Sequence, residues 1–120
     1  MDVPRVAYEK LASTARAESS AAVRARVQEA RDVQRQRFAD VPGVALNSEM
    51  NPSQVRDHAQ LMLADGGGEL LRLAVEQLNL SARAFHRVLK LARTIADLAG
   101  SDRIERQHLA ESLQYRERSE

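Results

Sequence analysis

Apolar residues recur along most of this chain at intervals of three and four positions, which is the spacing of one face of an α-helix. The broadest apolar stripe lies between Ser81 and Gly100. It consists of Phe85, Val88, Leu89, Ala92, Ile95, Ala96 and Ala99. Serine is a favoured N-cap, and glycine readily adopts the left-handed conformation that ends a helix. The pattern therefore predicts one long helix between Ser81 and Gly100.

A second long helix is predicted over residues 20–38, because helical spacing is kept there and no glycine or proline interrupts it. Ser19 or Ser20 is the expected N-cap, and the Val-Pro-Gly sequence at 41–43 is expected to prevent the helix from continuing. A separate short helix is predicted before it, over about residues 6–12.

Three shorter helices complete the pattern. Asn51 followed by Pro52 is typical of a helix start and opens a brief helix to about residue 60. The three glycines at 66–68 predict a turn, and the apolar residues after it predict a helix that Asn79 ends. A last helix is predicted over about residues 105–114.

Together these elements predict an all-α fold, a bundle of five or six helices that forms a single domain over residues 1–120. The segment 39–50 is the predicted mobile loop, and residues 116–120 are predicted to form a frayed tail.

The charge balance disfavours a free-standing nucleic-acid-binding module. The chain has 18 basic and 17 acidic residues, a net charge of +1, and only two Phe and two Tyr as aromatics. A basic groove would shift this balance, and base-stacking platforms need several aromatic side chains. Cysteine is absent, which excludes a disulfide framework and any thiolate metal site.

The sequence contains no apolar run of the roughly 18 residues that a membrane span needs, and its first residues lack the features of a signal peptide. We therefore expect a soluble, cytoplasmic chain without a membrane partner.

Enzyme motifs are missing from the sequence. A phosphate-binding P-loop needs glycines just before a lysine, yet neither Lys10 nor Lys90 follows a glycine. His58, His86 and His108 lie too far apart to bind one metal from a single helix face. We accordingly predict no catalytic residue and no metal site in this chain.

One set of arginines lies on the helix predicted over 20–38. Arg24, Arg31 and Arg35 are spaced by seven and four residues, so they share a face, and the window 20–37 carries a local charge of +3. Such a face could contact phosphates or an acidic partner. The alternative is an ordinary solvated flank of the helix.

A second set, Arg83, Arg87 and Arg93, lies on the helix that follows Ser81. Arg83 falls in its first turn, where free backbone N–H groups and the helix dipole favour an anion. A guanidinium at this position adds bidentate recognition of a phosphate. An anion-binding site is therefore predicted at the start of this helix.

The sequence of residues 80–100, LSARAFHRVLKLARTIADLAG, resembles the C-terminal region of magnesium-chelatase-like AAA+ proteins of the ComM/YifB type. The resemblance extends upstream to the Val-Arg-Ala-Arg-Val sequence at 23–27 and downstream to His-Leu-Ala-Glu at 108–111. It covers nearly the whole chain, although the middle, 39–68, carries little that matches.

The resemblance implies a small helical lid that follows the nucleotide domain of an AAA+ ATPase. Arg83 matches the second-sensor arginine, which reaches the terminal phosphate of ATP, and Arg87 is the fallback for this role. The resemblance also implies that the chain is a lid cut from a longer ATPase, so that alone it is not an enzyme.

The same resemblance implies the cofactors and partners. ATP and Mg²⁺ belong to the parent protein only, and none is expected for the isolated chain. The expected partners are an upstream AAA+ nucleotide domain, neighbouring subunits of a hexamer, and DNA in a parent that processes DNA. The alternative function is a helical protein- or DNA-interaction module that uses Arg24, Arg31 and Arg35.

Overall fold

The computed structural model of the protein describes the backbone of residues 5–119 and the side chains of residues 20–115. Within residues 5–119 it contains five α-helices and no β-strand longer than an isolated bridge. The helices are α1 (Arg5–Arg37), α2 (Pro52–His58), α3 (Gly67–Leu78), α4 (Ala82–Leu98) and α5 (Arg106–Ser119). The predicted all-α bundle of five or six helices is confirmed.

The helix α4 lies at the centre of the bundle and contacts α1, α2 and α5. Its start is confirmed, because the Ser81 hydroxyl accepts a hydrogen bond from the backbone N–H of Ala84 at 3.1 Å. Its end is also confirmed, since Gly100 has a φ of +71° and donates its N–H to the carbonyl of Asp97. Both signals therefore act as the sequence predicts.

The hydrophobic core forms around one face of α4. Four residues of the predicted stripe, Val88, Leu89, Ala92 and Ala96, are buried, whereas Ala99 is exposed. The other elements contribute Phe38, Met50, Val55, Ala59, Leu71, Ile104 and Leu109. Each large apolar side chain buried in this way contributes about 1.5–3 kcal/mol.

The predicted break in the first long helix is wrong. Ser19 and Ser20 lie inside α1, and the short helix predicted over 6–12 belongs to the same continuous helix. A serine inside a helix costs only about half a kcal/mol relative to alanine, and the neighbouring alanines and arginines favour the helix. A serine therefore indicates a helix start only where the backbone before it is not helical.

Among the described side chains of α1, those that pack against the bundle lie in its C-terminal part. Among the described side chains, residues 20–26 are exposed, and Ala30, Gln34 and Phe38 are buried. The long helix thus reaches the core with its last two to three turns.

Smaller differences concern the ends of the other helices. The turn predicted over 66–68 involves only Gly66, because Gly67 and Gly68 begin α3. The helix α2 ends at His58, before the predicted residue 60, and a 3₁₀ turn, Gln60–Met62, follows. His58 is thus the last residue of its helix.

The segment 39–50 connects α1 to α2 and includes a 3₁₀ turn, Asn47–Glu49. Asn47 and Met50 are buried in it. The helix α5 extends past the predicted end at residue 114 to Ser119, and the side chains of 116–120 lie outside the described part. The mobility of 39–50 and the fraying of 116–120 stay predictions.

None of the helices in the described range combines the length and the apolar character that crossing a bilayer requires.

Candidate functional site

A basic cleft lies along the N-terminal half of α4 and has a volume of about 320 Å³. The α4 side of the cleft is lined by Arg83, His86, Arg87 and Lys90, and the opposite wall by Met50, Pro52 and Val55. The structure therefore brings the two predicted anion-binding residues, Arg83 and Arg87, into one concave surface.

The cations of the cleft have no counter-charge among the residues that line it. Arg83, Arg87 and Lys90 are spaced by four and three positions, so they lie on one face of the helix. Among the side chains that the structure describes, no carboxylate lines the cleft. Its three side chains therefore give a strongly positive surface, on which an anion would be attracted.

The first turn of α4 adds backbone donors to this surface. The Ser81 hydroxyl accepts the N–H of Ala84, and the Ser81 carbonyl accepts the N–H of Phe85. Helix geometry leaves the N–H groups of Ala82 and Arg83 without an intrahelical acceptor. Arg83 thus carries its guanidinium at the positive end of the helix dipole.

The opposite wall of the cleft is held in place by the start of α2. The Asn51 side chain accepts the N–H of Gln54, and the Gln54 side chain accepts the N–H of Asn51, both at 2.9 Å. Met50 and Val55 on either side are buried. An apolar, well-packed wall therefore faces the row of cations.

Lys90 joins the two walls of the cleft. Its ammonium group donates a hydrogen bond to the carbonyl oxygen of Ser48 at 3.1 Å. Sequence reasoning missed Lys90 as a site residue, although its position seven residues after Arg83 was a usable signal. No sequence signal could have placed Met50, Pro52 and Val55 opposite it, because that contact depends on the packing of α2.

The third arginine of the predicted set does not belong to the cleft. Arg93 is 1% exposed and donates hydrogen bonds to the carbonyl oxygens of Ser101 at 2.9 Å and Asp102 at 3.0 Å. Burial lowers the pKa of Arg93, and the Asp97 carboxylate at 3.2 Å opposes this change. Arg93 therefore ties the end of α4 to the following loop, and it does not line the cleft that contains Arg83 and Arg87.

A buried polar network around Asp97 was also missed. The Asp97 carboxylate accepts hydrogen bonds from Arg37 and from the Asn47 side chain, each at 2.8 Å, besides its contact with Arg93. Asn47 in turn donates its backbone N–H to the Gln34 side chain at 2.9 Å. The spacing of Arg93 and Asp97 by four residues was a signal for this network, but its contacts to α1 were not predictable.

The arginines of α1 form a separate surface. Arg24, Arg31 and Arg35 are exposed, and none of them lines the basic cleft. Arg35 lies 3.8 Å from the exposed carboxylate of Asp32, and the Arg24 Nε donates to the Ser20 carbonyl at 3.3 Å. The structure thus places the three side chains along one exposed side of the helix, as their spacing predicts.

The histidines have local roles in the fold. The His108 Nδ1 accepts the backbone N–H of Glu105 at 3.0 Å and so caps α5. The His58 ring contacts the Phe38 ring edge to face, with centroids 5.5 Å apart. Within the described residues no group of three or more His, Asp or Glu side chains could hold a metal ion.

Comparison with known proteins identifies this helical domain as the C-terminal domain of a magnesium-chelatase-like protein. Residues 17–116 match the family described as magnesium chelatase, subunit ChlI C-terminal, and the chain belongs to that family. The resemblance found in the sequence is thereby confirmed.

Three longer relatives are similar to this chain. It is 38% identical to the competence protein ComM of Haemophilus influenzae over 117 residues, which are 97% of this chain and 22% of that protein. It is 41% identical to YifB of Escherichia coli over 99 residues, which are 82% of this chain and 18% of that protein. YifB of Salmonella typhimurium is 38% identical over 99 residues, with the same coverage. The chain thus spans about a fifth of the length of these curated relatives.

Proposed function

We propose that this lid contributes Arg83 as a second-sensor arginine to ATP bound by the nucleotide domain of a longer magnesium-chelatase-like ATPase. The observation that carries the proposal is the position of Arg83. It lies in the first turn of α4 and lines, together with Arg87 and Lys90, a cleft without a carboxylate. A terminal phosphate there would meet a guanidinium and the free N–H groups of a helix start.

The proposed mechanism couples ATP hydrolysis to motion of the lid. While the terminal phosphate is present, its charge anchors Arg83 and holds the lid against the nucleotide. Loss of that phosphate removes the anchoring charge, so the lid is free to rotate. ATP and Mg²⁺ would be held mainly by the upstream nucleotide domain, and neighbouring subunits of a hexamer would complete the site.

The proposal extends to the process that the parent protein serves. The resemblance implies DNA processing, and the name of the Haemophilus influenzae relative, competence protein, supports the same proposal. On this proposal the lid alone does not hydrolyse ATP, because the groups that activate water belong to the upstream domain.

The test is ATP turnover of the full-length protein that carries the upstream nucleotide domain. Arg83→Ala is expected to lower turnover by about 100-fold, the effect of removing one donor that stabilises transition-state charge. The matched control is Arg72→Ala, which removes an exposed arginine of α3 that does not line the cleft. Unchanged turnover in a folded Arg83→Ala protein would contradict the proposal, and a loss only in Arg87→Ala would move the role to Arg87.

A second candidate function is a protein- or DNA-interaction surface on α1. The observation that favours it is the exposure of Arg24, Arg31 and Arg35 on one side of the helix. Titration of the chain with labelled DNA at low and at raised salt tests it, because phosphate contacts make binding salt-dependent. Binding that is unchanged by substituting all three arginines with alanine would exclude this surface.

A further inference from the structure

We propose that Lys90 is a third anion-binding group of the basic cleft, and that the Ser48 carbonyl is its partner only until a polyphosphate binds. The inference rests on the proposed function, because it takes the anion to be the polyphosphate of a nucleotide. It adds a residue to the site, and it connects the site to the turn that contains Ser48.

The geometry of α4 places three cations in one row. Arg83 and Lys90 are separated by seven residues, so their Cα atoms lie about 10 Å apart along the helix axis, with Arg87 between them. Side chains on a helix lean toward its N-terminus, which directs the Lys90 ammonium toward Arg87. A row of three cations of this length fits several linked phosphate groups better than one.

Lys90 bonds an uncharged partner in this structure. The Ser48 carbonyl at 3.1 Å is a neutral acceptor, whereas a phosphate oxygen carries charge. The bond from the Lys90 ammonium to the Ser48 carbonyl is already charge-assisted, and a phosphate oxygen adds an opposite charge and therefore a direct Coulomb attraction to the ammonium. Because none of the described residues that line the cleft carries a carboxylate, an entering polyphosphate has no anion among them to displace.

Ser48 lies next to the opposite wall of the cleft. It lies in the turn Asn47–Glu49, directly before Met50, which lines the opposite wall of the cleft. Asn47 is held independently of Lys90, because its side chain bonds Arg37, Thr94 and Asp97. Release of Lys90 should therefore change the environment of Ser48 and Met50 while Asn47 stays in place.

The inference can be tested without disrupting the fold. Lys90→Met keeps most of the apolar stem and removes the ammonium group. The Ser48 carbonyl that it leaves behind belongs to an exposed residue and can bond water instead. Lys90→Arg restores the charge, and Arg72→Met removes one positive charge elsewhere on the surface as the matched control.

The experiment is a titration of the 120-residue chain with sodium tripolyphosphate, followed by calorimetry and by backbone amide NMR. We expect Lys90→Met to raise the Kd about tenfold, Lys90→Arg to recover most of the loss, and Arg72→Met to change the Kd less than twofold. The amides of Ser48 and Met50 should shift on binding in the wild type and shift much less in Lys90→Met.

Several results would overturn the inference. These are a Kd in Lys90→Met equal to that of the wild type, equal affinity of the wild type for orthophosphate and tripolyphosphate, or no binding of tripolyphosphate at millimolar concentration. Unchanged Ser48 and Met50 amides at saturation would refute the exchange of partners. Tighter, Lys90-dependent binding of a single-stranded oligonucleotide would refute the assignment to a nucleotide.

Failure of this inference and failure of the proposed function give different results. If Arg83→Ala abolishes ATP turnover of the full-length protein and Lys90→Met binds tripolyphosphate normally, the sensor proposal stands and the Lys90 inference is wrong. If Arg83→Ala leaves turnover unchanged while tripolyphosphate binding depends on Lys90, the cleft binds polyphosphate but Arg83 is not a sensor.

Discussion

Arg37, the last residue of α1, donates two hydrogen bonds of 2.8 Å to the carboxylate of Asp97 in α4, across 60 residues of sequence. The Asp97 side chain is 1% exposed, and the same carboxylate lies 3.2 Å from the buried guanidinium of Arg93. Two arginines therefore share one buried counter-charge. This relationship fixes the end of α1 to the central helix.

Removing the shared charge should strongly destabilise the fold. Asp97→Asn keeps the size of the side chain but leaves the buried Arg93 and the largely buried Arg37 without a counter-charge. Breaking a buried ion pair in this way costs about 3 kcal/mol. Urea unfolding followed by circular dichroism measures the loss.

The matched control for this substitution is Asp32→Asn. Asp32 pairs with Arg35 at 3.8 Å, but both side chains are more than half exposed, so the expected cost is below about 1 kcal/mol. If Asp97→Asn were no more costly than Asp32→Asn, the network around Asp97 would not hold α1 to α4.

Two glycines should respond to alanine with opposite signs. Gly100 has a φ of +71° and nothing within 4 Å of an added Cβ, so Gly100→Ala should cost about 1 kcal/mol through backbone strain alone. Gly68 lies inside α3 and also has free space, so Gly68→Ala should stabilise the protein by about 0.5 kcal/mol. Thermal unfolding of the two variants checks the signs, and a gain in Gly100→Ala would contradict the assignment of a helix stop.

Stability should fall as the pH drops through the range in which His58 titrates. Burial lowers the pKa of His58 below its ordinary value of 6.5, and the positive charge of Arg37 lowers it further, while Asp57 acts in the opposite direction. The unfolded chain therefore binds more protons at this residue than the folded chain, so the free energy of unfolding rises with pH. Urea midpoints should increase from pH 5.5 to pH 7.5, with most of the change near and below about 6.5.

The variant His58→Gln isolates this contribution. It should show a flatter pH dependence than the wild type between pH 5.5 and 7.5. Glu49, whose pKa is lowered from 4.5 by the N–H groups of Ala45 and Leu46, loses its contribution only below that range. An equally steep dependence in His58→Gln would assign the effect to another group.

The N-cap of α4 should influence both the fold and the basic cleft. Ser81→Ala removes the acceptor for the Ala84 N–H and should cost about 1 kcal/mol of unfolding free energy. Ser81→Asn, which keeps a capping side chain, should recover most of it. Ser53→Ala, at an exposed serine of α2, should change stability by less than about 0.5 kcal/mol. A neutral Ser81→Ala would show that the first turn of α4 does not depend on its cap.

The parts of the fold that the sequence predicts well are those with local causes. The start of α4 at Ser81 and its end at Gly100 follow from a side-chain oxygen and a positive φ, both of which act within a few residues. The helix start expected at Ser19 or Ser20 is wrong, because the backbone before these serines is already helical. A serine acts as an N-cap only where its own backbone and the backbone before it are not helical. The identity of the residue does not determine that conformation.

The candidate site was predictable only in part. Arg83 and Arg87 share a helix face by spacing alone, and the structure places both in the cleft. Arg93 lies on the same helix, but its side chain is buried and donates hydrogen bonds to the carbonyl groups of Ser101 and Asp102 in the loop that follows α4. Contacts between residues far apart in sequence, such as Lys90 with Ser48, follow from packing and have no local signature.

The length of α1 gives its attachment to α4 a mechanical consequence. At 1.5 Å per residue its 33 residues span about 50 Å, whereas Ala30, the first buried side chain described, lies only seven residues before Arg37. The contact between Arg37 and Asp97 thus lies at one end of a long helix. A rotation of α1 about this contact moves the N-terminal end of the helix much further than it moves Ala30. A tilt of about 5° about this contact displaces the far end by about 4 Å. A sub-ångström displacement of the end of α1 beside Asn47 would thus become a displacement several times larger at the N-terminal end of the helix.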